Sequence, residues 1–169
     1  MALIKRCAVI VLAALAINAW AAPPTQEELN ACQAGASTGR TQVTEIPRQL
    51  LTEEEDYWRG YTATTSTFQG KTVGYARKAN EEGLAFNGRV YPLKQAKLIN
   101  LSREEFNDQL ARGSISANQP ADWYWLKGRQ QFMCIASNRS MTKATPILIL
   151  LSAGKRKQVY VALGSAPTR

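Results

Sequence analysis

The sequence predicts an α+β protein with a mostly antiparallel β-sheet of about seven or eight short strands, strongly curved or barrel-like, three short helices and one disulfide. Two observations predict this class. From residue 61 onward, runs rich in β-branched and aromatic residues alternate with Gly and Asn turn residues. Capping-box spacing, a Ser or Thr followed three residues later by Glu, marks three helix starts, at Thr25, Thr52 and Ser102.

Each predicted helix has a start signal and a stop signal. The first helix follows Thr25 and Glu28 and ends at Gly35, where a left-handed residue can close it. A second helix is expected over residues 52–60, with acidic side chains near its positive end. The third helix follows Ser102 and ends at Gly113.

The predicted strands lie mainly between residue 61 and the C-terminus. Residues 61–68 and 71–78 read as neighbouring strands, and Asn87-Gly88 between apolar alternations is a strong hairpin signal. Further strands are expected around residues 97–100, 123–126 and 131–137, and at the final hairpin. The stretch PILILL, residues 146–151, is apolar on both parities, which predicts a central strand.

The N-terminus has the pattern of a secretory signal peptide. Lys5 and Arg6 precede an apolar run that ends at Ile17, and Ala19 and Ala21 provide a small-x-small cleavage site. We therefore expect a cleaved signal over residues 1–21 and a single exported globular domain over residues 22–169. The apolar run is short for a bilayer span, so no transmembrane anchor is expected after cleavage, and the predicted location is periplasmic or secreted.

The mature chain would keep two cysteines, Cys32 and Cys134. In an oxidising compartment two cysteines can pair in one way, which predicts a Cys32–Cys134 disulfide. The chain contains no histidine. We expect no metal site of the mixed zinc type and no cofactor.

Charge is distributed unevenly along the chain. Residues 22–70 hold three basic and seven acidic side chains, whereas residues 71–169 hold sixteen basic and six acidic ones. One interpretation is a basic C-terminal face that attracts an anionic partner. The other is that the acidic front segment lies across the basic part and neutralises it.

A first candidate binding element is the strand around Trp123 and Trp125, followed at a turn by Lys127 and Arg129. Aromatic faces beside cations suit an acidic protein or a glycan. The alternative is that the two tryptophans pack in the core near Cys134.

A second candidate is the basic tip Lys155, Arg156 and Lys157 of the final hairpin. Gly154 is expected to take a left-handed conformation in a tight loop. By strand parity Lys155 and Lys157 lean to one side and Arg156 to the other. The tip therefore either binds an anionic partner or keeps an apolar hairpin solvated and unpaired.

Catalytic signatures are weak in this sequence, and we name no catalytic residue. Without histidine or a free thiol, Ser-His and Cys-His nucleophiles are excluded. The acidic run Glu53–Asp56 would fan around a helix rather than converge, although a small hydrolase that uses these residues stays an alternative.

These observations favour an exported, non-catalytic binding protein. Its expected partner is an acidic protein, as for an inhibitor or immunity-type protein, or a component of an envelope assembly. The alternative partner is an anionic envelope polymer or a nucleic acid, bound through the basic C-terminal part.

Overall fold

The computed structural model describes residues 21–47, 52–112, 121–137 and 145–165. Its helices are α1 (Gln26–Ala34) and α2 (Arg103–Ala111), with a 3-10 turn at Leu93–Gln95. The strands in the described part are β1 (Gln42–Glu45), β2 (Thr52–Trp58), β3 (Tyr61–Phe68), β4 (Lys71–Lys78), β5 (Glu81–Phe86), β6 (Arg89–Pro92), β7 (Lys97–Ile99), β8 (Ala121–Lys127), β9 (Gln131–Ser137), β10 (Ile147–Ser152) and β11 (Val159–Leu163).

The strands form two sheets. One has the order β1-β8-β9-β10-β11-β7, and the other has the order β2-β3-β4-β5-β6. All pairs are antiparallel except β11 with β7. The α+β class and the mostly antiparallel pairing are confirmed, but neither sheet is closed within the described residues, and eleven strands replace the expected seven or eight.

Two core clusters lie on the two faces of the six-stranded sheet, and a third belongs to the five-stranded sheet. In β10, Ile147, Ile149 and Leu151 join the apolar cluster between the two sheets, which also contains Phe68, Phe86 and other residues of the five-stranded sheet. Leu148 and Leu150 point to the opposite face and pack with α1. Because both faces are covered, β10 is apolar at every position but the last, and its predicted central place is confirmed.

The predicted helix over residues 52–60 is wrong, because this segment forms strand β2. Thr52 pairs with Thr65 and Trp58 with Tyr61 at the edge of the five-stranded sheet, with a register shift in between. The segment offers a helix cap but no apolar stripe at helical spacing, whereas a strand lets Tyr57 and Trp58 pack on the small residues of the sheet. Strand pairing and packing therefore override the local capping signal.

The helices that follow Thr25 and Ser102 are confirmed. Thr25 and Glu28 form a full capping box, and Gly35 closes α1 with a φ of 60°. The Ser102 side chain accepts a hydrogen bond from Glu105 N. Gly113, the expected end of the third helix, lies outside the described residues.

The predicted disulfide is confirmed. Cys32 on α1 and Cys134 on β9 are bonded, with their Cα atoms 6.1 Å apart. Both residues are fully buried. The bond fastens α1 to the outer face of the six-stranded sheet.

The predicted signal peptide lies outside the described residues except for its last residue, Ala21. Among the residues that the structure does describe, no helix has the length and apolar character required to cross a membrane. The expected export of the chain therefore stays a prediction.

Candidate binding surface at the basic end

Four hairpin turns meet at one end of the two sheets. They join β3 to β4 (residues 69–70), β5 to β6 (87–88), β8 to β9 (128–130) and β10 to β11 (153–158). The first two turns are linked because Asn87 N donates to Thr72 O at 2.8 Å and Thr72 N donates to Asn87 Oδ1 at 3.0 Å. The last two are linked by Ala153 N, which donates to Gln131 O at 2.8 Å.

Aromatic rings connect these turns across the space between the sheets. The ring of Trp125 lies 6.0 Å from that of Phe68 and 6.3 Å from that of Phe86, centroid to centroid. Lys71 Nζ lies 5.1 Å from the Trp125 centroid, and Lys157 Nζ lies 4.9 Å from the Phe86 centroid. The turns of both sheets therefore rest on one aromatic cluster, which fixes their relative positions.

The charged residues of the four turn segments are all basic. Segments 68–73, 86–89, 127–131 and 153–158 contain seven Lys and Arg residues and no Asp or Glu. Five of these cations are exposed, and Lys71 and Lys157 are half-buried. The ion pairs Glu81–Lys94 and Asp108–Arg112 lie outside the four segments. We call this set the basic end: Lys71, Arg89, Lys127, Arg129, Lys155, Arg156 and Lys157.

The structure brings together the two cationic elements that the sequence singled out. Lys127 is the last residue of β8, Arg129 lies in the β8–β9 turn, and Lys155–Lys157 lie in the neighbouring β10–β11 turn. Lys71 and Arg89 also belong to this end, although neither was predicted from the sequence as a binding residue. Their place depends on packing between the sheets, which no local pattern in the sequence indicates.

Trp123 and Trp125 lie in the core between the sheets. Trp123 is 1% exposed and Trp125 is 4% exposed. The Trp123 ring meets that of Tyr75 edge to face, at 6.1 Å between centroids. The two tryptophans thus pack beneath the turn that carries Lys127 and Arg129, and direct contact of either ring with a partner stays a prediction.

Glu28 anchors the β8–β9 turn from below. Its side chain is buried, with 1% of the residue exposed. Glu28 Oε2 accepts from Thr25 N at 2.7 Å, and Oε1 accepts from Gln130 N at 3.2 Å. Arg129 Nη2 in the same turn donates to Pro23 O at 3.3 Å. The capping-box pattern in the sequence predicts the hydrogen bond between Glu28 and Thr25, but nothing in the sequence indicates the hydrogen bond between Glu28 and Gln130.

The β10–β11 turn is held by its own side chains. Ser152 Oγ donates to Arg156 O at 2.9 Å and accepts from Gln158 N at 2.8 Å. Lys157 Nζ donates to the carbonyl oxygens of Ala153 and Gly154. The φ angle of Gly154 is not positive, so the prediction of a left-handed residue in a tight turn is wrong. A longer loop closed by side-chain hydrogen bonds replaces it.

The acidic run Glu53–Asp56 lies along the exposed edge strand β2. Glu54 Oε1 accepts from Thr65 Oγ1 at 3.3 Å, and Asp56 Oδ1 accepts from Gly60 N at 2.9 Å. These two carboxylates therefore have structural partners in the adjoining strand and turn. In the described segments, no three His, Cys, Asp or Glu side chains are grouped closely enough to hold a metal ion.

Comparisons with known protein families, with characterised proteins and with solved structures return no match for this chain.

Proposed function

We propose that this chain is an exported, non-catalytic binding protein that engages an acidic protein partner through the basic end. The observation that carries the proposal is the convergence of four turns whose segments contain seven cations and no acidic residue, while the carboxylate of Glu28 beside them is buried. A field of one sign attracts an oppositely charged partner, speeds encounter and disfavours partners of the same charge.

The scaffold beneath this surface supports a preorganised contact. Loops that are held on a rigid framework are common places for binding residues, and rigidity lowers the entropic cost of association. Here the turns are fixed by the aromatic cluster at Trp125, by Glu28 and by the Ser152 hydrogen bonds. Export of the chain is supported by the disulfide, since such bonds persist in oxidising compartments.

A protein that acts in the envelope or outside the cell and carries such a surface suits two roles. It could block an acidic enzyme or toxin, as an inhibitor or immunity-type protein does, or it could be an accessory subunit of an envelope assembly. Both roles use the same contact, so one experiment addresses them together.

The test compares three oxidised baits in affinity capture from an envelope extract of the native host. They are the wild type, a basic-end variant with Lys127→Gln, Lys155→Gln and Arg156→Gln, and a control variant with Arg40→Gln, Arg77→Gln and Lys78→Gln. All six replaced side chains are exposed, and each variant loses three positive charges. The captured protein is then purified and its affinity for each bait is measured.

We expect the basic-end variant to bind about tenfold more weakly than the control variant, because three exposed ion pairs contribute roughly 0.5 kcal/mol each. Equal affinity of the two variants would contradict the assigned surface. Retention of the wild type on heparin or single-stranded DNA, with a steep loss as salt rises and no captured protein, would favour the anionic-polymer alternative.

A further inference from the structure

A small notch lies beside the basic end, where β6 and the 3-10 turn meet the β10–β11 turn. Its volume is about 120 Å³. At roughly 30 Å³ for each water in the liquid, this is the space of about four waters, or of one polar side chain. The notch is lined by Tyr91, Pro92, Gln95, Lys157, Gln158 and Val159.

Lys157 is the cationic group of the notch, and within the described residues the contacts given for its ammonium are with uncharged groups. Its ammonium donates to the carbonyl oxygens of Ala153 and Gly154 and lies over the Phe86 ring. Partial burial lowers the pKa of Lys157 below its ordinary value. A partly desolvated cation without a carboxylate beside it gains more from a counter-charge than a fully hydrated one does.

The other walls of the notch suit the rest of an acidic side chain. Pro92 and Val159 offer apolar surface for methylene groups. Gln158 Nε2 is held at this wall by bonds to Gln95 O at 3.4 Å and to Val159 O at 3.0 Å. Both N–H groups of the Gln158 amide are used in these bonds, so the donor that remains for a carboxylate oxygen is the third N–H of the Lys157 ammonium.

We propose that the notch seats one glutamate or aspartate side chain of the protein partner, with Lys157 as its ion-pair partner. The inference rests on the proposed function and deepens it, because it names the chemistry of one contact. Binding energy at interfaces concentrates where a group enters a pocket and leaves water, whereas exposed charges at the rim mainly affect the association rate. Lys157 would then determine affinity and the exposed cations would steer the approach.

The test uses a defined probe, a short glutamate peptide that is acetylated and amidated, with the glutamine peptide as the neutral control. NMR follows the pH titration of the Lys157 side chain with and without the peptide. A carboxylate next to the ammonium favours the charged form, so we expect the glutamate peptide to raise the pKa of Lys157 and the glutamine peptide to leave it unchanged.

Three variants measure how much the notch contributes to affinity. Lys157→Met keeps an unbranched apolar stem but removes the charge, and we expect it to lower peptide affinity about tenfold or more, while Lys157→Arg retains most of it. Gln95→Phe narrows the notch and leaves Lys157 in place, so it tests the site without disturbing the β10–β11 turn, and it should also weaken binding.

The outcomes separate this inference from the proposed function. The variant with Lys127→Gln, Lys155→Gln and Arg156→Gln should weaken peptide binding without abolishing the pKa rise at Lys157. If that variant weakens binding while Lys157→Met and Gln95→Phe do not, the notch is not the carboxylate site and the basic end stands. If the wild type binds no glutamate peptide at low salt, both proposals are overturned.

Discussion

At the scale of single residues, Glu28 joins the N-terminal helix to the basic end. Its two carboxylate oxygens accept backbone hydrogen bonds from Thr25 and from Gln130, which is remote in sequence. A buried amide that loses its acceptor costs about 1 to 3 kcal/mol. We expect Glu28→Ala to lower the free energy of unfolding by about 2 to 4 kcal/mol in urea denaturation.

The matched control is Gln26→Ala on the same helix. Gln26 is exposed and contacts Asn30 within the helix, so its replacement should change the free energy of unfolding by less than about 0.5 kcal/mol. Glu28→Ala should also release the turn that carries Arg129, which amide hydrogen exchange at Gln130 would report. A Glu28 variant as stable as the control, with unchanged exchange, would show that the Glu28–Gln130 bond is not formed.

At the scale of elements, close approach of β3 and β4 depends on Gly74. A Cβ atom at this position would lie 2.0 Å from Thr64 O and 2.8 Å from Thr65 Cα. These are backbone atoms of the paired strand, so relief requires the strands to move apart. We expect Gly74→Ala to destabilise the protein by about 3 kcal/mol, the upper end for overpacking, as measured by thermal unfolding.

Gly154 provides the control for this substitution. It lies in the β10–β11 turn with no atom within 4 Å of an added Cβ and without a positive φ. Gly154→Ala should therefore be neutral or stabilising by about 0.4 to 1 kcal/mol, because it restricts the unfolded chain. Equal melting temperatures for the two variants would show that β3 and β4 are not in close contact at Gly74.

The elements also show how far the sequence predicts this molecule. Signals confined to a few residues predict the observed structure well. They are the Asn87-Gly88 turn, the Thr25 and Ser102 caps and the apolar pattern of β10 on both faces. The Thr52 cap does not, because β2 gains its stability from pairing with β3. Lys71 and Arg89 join the basic end through contacts between sheets, which residue order alone does not encode.

At the scale of the whole molecule, the Cys32–Cys134 bond joins the N-terminal helix to the central part of the six-stranded sheet. It spans 102 residues of sequence. The chain-entropy model assigns a loop of about 100 residues roughly 4.7 kcal/mol of stabilisation, and native disulfides typically contribute about 2 to 5 kcal/mol. The bond thus restricts most of the described chain in the unfolded state.

We expect the double variant Cys32→Ser, Cys134→Ser to lose about 3 to 4 kcal/mol of unfolding free energy. Wild-type protein treated with reductant should lose a similar amount, while the oxidised wild type gives the reference value. The disulfide holds Cys32 and its helix against Leu148 and Leu150. Without the bond the helix would loosen and would no longer hold Glu28 under the β8–β9 turn. The variant should therefore bind the glutamate peptide more weakly even at temperatures where its sheets stay folded. If its stability matched that of the oxidised protein, the disulfide would not be the constraint that joins α1 to the sheet.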